Sequence, residues 1–167
     1  MEHYKSWPAL KRQLEELVCD GLRGRITYFL TRYHQVHNAY GRAAILLDGR
    51  ELVCFSWAEN CRQEQELSRR SREHPEWSYG ELLADRNPVW EEKGTLSEMD
   101  FLAAALAFRN MPVQEALESE NGIVRIFAIL DRRTGRRTLE KIAASKAYQT
   151  APEWLGQFYR LRLGLEA

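Results

Sequence analysis

The stretch "GIVRIFAILD", Gly122 to Asp131, decides how the chain is layered. Its apolar residues fill consecutive positions rather than alternate ones, with Arg125 as the single charged interruption before Asp131. A short continuous apolar run of this kind predicts a strand covered on both faces, which places it in the centre of a sheet.

Upstream, "MPVQEALES" predicts a short helix with Pro112 near its first turn. Before that, Ser97 and Asp100 form a capping box with Asp in place of the usual Glu, so "EMDFLAAALAFRN" is expected as a buried helix that ends at Asn110. Downstream, "RRTGRR" makes a turn, and Thr138 is expected to cap a helix over "LEKIAASKAY". Pro152 then opens a last helix with Trp154, Phe158, Leu161 and Leu165 on one face.

The other half of the chain supplies the remaining strands. "SWPALKRQLEELVC" has Ser6 as N-cap, Pro8 in the first turn, and Leu10, Leu14, Leu17 and Val18 at helical spacing. "ITYFLTRY" is dense in β-branched and aromatic residues and predicts a strand, although Ile26, Phe29, Leu30 and Tyr33 also fit a helical face. "HQVHNAYG" reads as a connection and "RAAILLD" as an apolar strand covered on both faces. Asp48-Gly49 between "AAILL" and "ELVCF" is a two-residue hairpin signal, because both central positions of that turn want positive φ. A polar surface helix is expected from Ala58 to Arg72, and a long irregular connection over "EHPEWSYGELLADRNPVWEEKG", pinned by Trp77 and Trp90. The sum is an α+β single domain: a roughly four-stranded, mostly antiparallel sheet packed with helices.

A chain of 167 residues is long enough to bury a core without disulfides or metal. Cys19, Cys54 and Cys61 are odd in number and form no C-x-x-C pair, which predicts a reducing compartment and neither a disulfide framework nor a thiolate zinc site. Cys19 and Cys54 sit in apolar settings and are expected in the core; Cys61 is expected to be exposed. The apolar runs are too short to span a bilayer and the start lacks a secretory leader, so the expectation is a cytoplasmic protein with no membrane partner. Net charge is zero but segregated: residues 56–121 carry seven basic against fourteen acidic side chains, residues 122–167 nine against four. That asymmetry marks either a basic face for an anionic partner or an acidic segment folded on basic ones.

The blocks "WPALKxxLExLVC", "GRITYFLTRY", "GRAAILLDGRE", "LDRRTGRRTLEK" and "PEWLGQFYRLRL" together resemble a family of small, uncharacterised bacterial proteins. The resemblance covers most of the chain but not Ala58 to Lys93. It carries no activity, cofactor or catalytic residue with it, and implies only a bacterial or mobile-element, cytoplasmic setting.

Two arginine-bearing stretches hold the candidate chemistry. In "GRITYFLTRYHQVHNAYGR" basic residues interleave with rings, as nucleic-acid surfaces require. Strand alternation turns Tyr28 and Arg32 to one side and Phe29 and Tyr33 to the other, so the rings cannot form one platform, and Arg32, His37 and Arg42 remain as candidate ligand contacts. In "LDRRTGRRTL", Arg132, Arg133, Arg136 and Arg137 flank a turn before a helix whose first N–H groups favour an anion, and guanidinium forks suit phosphate. The bland alternative is a solvated basic turn paired with Asp131 or the acidic middle. His34 and His37 fall short of a metal site without a third ligand. The leading expectation is therefore a non-enzymatic protein that holds a nucleotide or nucleic acid through these arginines, with no cofactor and no metal. One alternative is a protein-interaction module, of inhibitor or immunity type, that works through the acidic middle. The other is a phosphodiesterase or nuclease with a histidine acid/base.

Overall fold

The computed structural model describes residues 6–32, 41–84 and 96–164. Helix α1, Trp7–Leu17, starts where Ser6 Oγ accepts from the N–H of Ala9 (3.4 Å), and it buries Leu10 and Leu14. Strands β1 (Ile26–Arg32), β2 (Gly41–Leu47) and β3 (Arg50–Phe55) follow as an antiparallel meander in the order β1-β2-β3. Asp48 (φ 51°) and Gly49 (φ 79°) both adopt positive φ, the conformation the hairpin dipeptide predicts. Ile26 to Arg32 is a strand and not a helix: Tyr28 faces the core at 2% exposure while its neighbour Phe29 is 42% exposed.

Both sheet edges carry a side-chain cover. On β1, Glu15 Oε1 accepts from the N–H of Tyr28 (3.2 Å), and on β3 the carbonyl of Leu52 accepts from Gln157 Nε2 (3.1 Å). A register shift near Leu52 bends β3 as well. Such devices keep free edge groups from pairing with another chain.

Helix α2 (Trp57–Glu73) is capped by Ser56 and lies on the surface, with Asn60 as its buried residue. Helix α3 (Tyr79–Ala84) occupies part of the segment expected to be irregular; Ser78 Oγ accepts from the N–H of Glu81, whose carboxylate accepts in return from the N–H of Ser78. That reciprocal capping box nucleates a helix where Pro75 ahead of it and Gly80 inside it suggest only loop. Trp90 lies outside the described residues. Helix α4 (Glu98–Phe108) has the predicted Ser97–Asp100 box, and α5 (Val113–Leu117) follows Pro112.

The largest departure from expectation is at Gly122–Leu130, which is a helix, α6, and not a strand. The sheet therefore has three strands among the described residues rather than four. Asn121 Oδ1 accepts from the N–H groups of Ile123 (3.0 Å) and Val124 (3.3 Å), which starts the helix. It packs against α4, α5 and α9 and buries Ile123, Val124 and Ile126 to Leu130. A continuous apolar run of this length fits a doubly covered strand as well as a buried helix, and the order of its residues does not separate the two. The chain turns extended just after it. There Val18 and Asp131 form an antiparallel bridge, with Cys19 N–H donating to Leu130 (2.8 Å) and Arg132 N–H to Leu17 (2.7 Å).

Helix α7 spans Arg136–Ala143 with Gly135 as N-cap, so Thr138 lies inside the helix and does not cap it. Ser145 caps a separate short helix, α8 (Lys146–Gln149), and α9 (Glu153–Leu163) ends at Gly164 in the left-handed conformation (φ 71°). Leu165 lies outside the described residues.

One contiguous core joins these elements, apart from α2 and α3. Phe101 sits at its middle, with ring centroids 6.0 Å from Trp7, 6.0 Å from Phe55 and 5.5 Å from Phe127. Cys19 and Cys54 are buried as expected, and Cys61 is half-buried rather than exposed.

Candidate functional site

The α1–β1 connection, the β2–β3 hairpin, the start of α7 and the end of α9 meet around a groove of about 500 Å³. Four arginines line it, one from each of these elements: Arg25, Arg50, Arg136 and Arg162. No carboxylate belongs to the lining.

Each guanidinium is placed by a specific partner or by the backbone. Arg25 grips Asp48 through Nε (3.1 and 3.2 Å) and Nη2 (2.7 Å), which ties the α1–β1 connection to the hairpin turn. The hydrogen bond from Arg25 holds the Asp48 carboxyl below the usual carboxylate range and raises the arginine in turn, so both are charged at neutral pH. Arg136 donates to Glu140 Oε1 (2.9 Å) and to the carbonyl of Leu163 (3.3 Å). Arg162 donates from Nε to Ile129 (3.1 Å) and from Nη2 to Thr134 (2.7 Å), covering the carbonyl end of α6, where the helix dipole favours a cation. Arg50, placed directly after the positive-φ Gly49, has no ion pair among the described residues.

The charge balance follows from these contacts. The carboxylates of Asp48 and Glu140, outside the lining, pair with Arg25 and Arg136 in exposed contacts that hold their partners weakly. Arg162 meets only carbonyls and Arg50 meets no carboxylate, so the groove keeps a positive excess. The first two residues of α7 are Arg136 and Arg137, behind a glycine N-cap without a side-chain acceptor. Cations at the positive end of a helix repel it, and an anion there relieves both.

The residues predicted as ligand contacts are scattered. Arg136 lines the groove. Arg133 folds back on buried Asp131, donating from Nε (3.0 Å) and Nη2 (2.7 Å), while its own N–H also donates to Asp131 (2.7 Å); this is the paired-turn alternative. Arg132 lines a different depression together with Glu16, whose carboxylate opposes an anion. Arg137 is exposed at the second position of α7. Arg42 pairs with Glu51 across the outer face of the sheet, away from the groove. The Arg32 side chain, His34 and His37 lie outside the described residues, and with the histidines goes the acid/base reading. Among the described residues no three His, Cys, Asp or Glu side chains gather to hold a metal ion. No helix among them is long and apolar enough to cross a membrane.

Sequence reasoning missed Arg25 as a contact, Arg50, Arg162 and the apolar floor of the groove. Arg50 carries one local signal, its position next to the hairpin glycine. Arg162 carries none, because only the fold sets the last turn of α9 beside the hairpin.

Residues 6–163 match the profile of the SF0329 protein family. The chain belongs to that family. The match runs through residues 58–93, the segment that the recognisable sequence blocks leave out. No curated protein and no solved structure matches the chain.

Proposed function

We propose that the protein binds a small phosphate-bearing ligand in the arginine-lined groove without transforming it. The observation that carries this reading is the lining itself: four guanidinium groups from four elements and no carboxylate. Guanidinium forks donate paired hydrogen bonds to phosphate oxygens, and a groove of about 500 Å³ has the size of a small-molecule site. The reading sets the protein in a bacterial cytoplasm, where soluble phosphate esters are abundant and three free cysteines stay reduced.

The test is calorimetric titration with pyrophosphate, ADP and a short oligonucleotide at two salt concentrations. Arg50→Ala and Arg136→Ala are each expected to weaken binding about tenfold or more, the worth of a charge-assisted hydrogen bond. Arg132→Ala and Arg42→Ala are expected to leave it unchanged. Affinity that is absent, or indifferent to Arg50 and Arg136, overturns the reading.

A second reading, a protein-interaction module, draws on Trp57 and Met99, which are 40% and 51% exposed at the starts of α2 and α4. The acidic residues of α2 favour it less than their number suggests, since Glu59, Glu66 and Glu73 are already paired with arginines of the same helix. A photo-crosslinker at residue 57 that captures no stoichiometric partner in cells removes it.

A further inference from the structure

The groove is not uniformly polar. The arginines share the lining with Leu22 and Leu163, both buried, and with the half-buried Leu47, Leu52 and Leu161. Leu47 and Leu52 come from the hairpin and Leu161 from α9, so the two walls present leucines to one space. The walls are fastened together. Gln157 Nε2 donates to the carbonyl of Leu52 (3.1 Å) and to that of Trp154 (3.1 Å), which joins β3 to α9 and keeps the leucine strip open as a preformed slot.

What the lining lacks is as informative. No aromatic ring belongs to it, so a nucleobase would find only guanidinium planes to stack on, the same groups that must meet the phosphate. The single side-chain amide is that of Gln157, and its Nε2 is committed to two backbone carbonyls, which removes it as a donor for reading a base edge. Half-exposed leucines beside guanidinium groups instead match a molecule with an anionic head and a saturated body. Covering the leucines removes apolar surface from water, while the arginines meet the head.

We infer that the ligand of this groove is an alkyl phosphate monoester: its phosphate sits among Arg50, Arg136 and Arg162, and its saturated chain on Leu47, Leu52 and Leu161. The inference rests on the anion-binding reading and narrows it from phosphate esters in general to aliphatic ones.

Calorimetry on the full chain with inorganic phosphate, butyl, hexyl and octyl phosphate below their micelle concentrations, and AMP, separates the two levels. Affinity is expected to rise about fourfold for each methylene that enters the slot, the worth of one buried CH₂, and to level off once the chain outgrows it. Octyl phosphate is expected to bind at least tenfold more tightly than AMP. Leu52→Ser and Leu161→Ser flatten the chain-length series while inorganic phosphate binds as before, and Arg50→Ala weakens every member alike. If either leucine variant fails to fold, the chain-length series and Arg50→Ala in the otherwise unchanged protein decide alone. A flat alkyl series with Arg50-dependent binding of phosphate and AMP overturns the aliphatic ligand and leaves the anion site standing. Loss of Arg50 dependence throughout overturns both.

Discussion

Glu98 is 4% exposed and has no basic partner among the described residues, yet its carboxylate accepts from two backbone groups, the N–H of Gly41 (2.9 Å) and that of Trp57 (3.1 Å). It therefore joins the start of β2, the start of α2 and its own position at the start of α4, and two of those three are helix N-termini that favour negative charge. The strand beside it leaves no slack: a Cβ at Gly41 would stand 2.2 Å from the carbonyl oxygen of Thr31. Glu98→Ala leaves both N–H groups without an acceptor and is expected to cost about 2–4 kcal/mol, whereas Glu98→Gln, which keeps one acceptor oxygen, costs about half as much. Urea denaturation of both variants checks this through the midpoint at unchanged slope; an alanine variant as stable as the parent sinks the assignment.

At the scale of elements, legibility depended on whether a signal was local. Asp48-Gly49, the Ser6 cap and the Ser97–Asp100 box each act within four residues, and each element they announce is present. For α6 the one local signal was Asn121, which caps two N–H groups, but seven buried residues in nine make a short continuous apolar run that reads equally well as a doubly covered strand. The groove was legible only through Arg136, because Arg50 and Arg162 stand 112 residues apart in the chain and meet through the fold. Helix α2 is the opposite case, polar and exposed, so its stability leans on its own side-chain pairs. Hydrogen bonds from Arg69 and then Arg70 hold the Glu66 carboxyl down at about 2. A depressed carboxyl stabilises the fold fully above its ordinary value, 4.5 for this glutamate, and loses that contribution as pH falls through its folded value. Cα chemical shifts of residues 62–73 are expected to move toward coil values between pH 4.5 and 2, while Glu66→Gln shows part of that movement already at pH 7. Shifts that hold steady to pH 2 contradict it.

For the molecule as a whole, closure depends on contacts between distant parts of the chain. The Val18–Asp131 bridge ties the end of α1 to the end of α6, and Gln157 ties α9 to Leu52, 105 residues earlier. Helix α9 packs on α6 and α7 and buries Trp154, Leu155, Phe158, Tyr159 and Leu163, and its Arg162 covers the carbonyls of Ile129 and Thr134. At roughly 1.5–3 kcal/mol for each large apolar side chain, that burial amounts to about 8–15 kcal/mol, as much as the entire stability of an ordinary domain. Removing residues 152–167 is therefore expected to abolish folding rather than trim it: the truncated chain shows no near-ultraviolet circular dichroism and no cooperative thermal transition. A truncated chain that still melts cooperatively would mean that α6 finds its cover elsewhere. In that case the leucine wall contributed by α9 is an addition to a fold already closed, and the groove can open and shut with that helix instead of standing preformed.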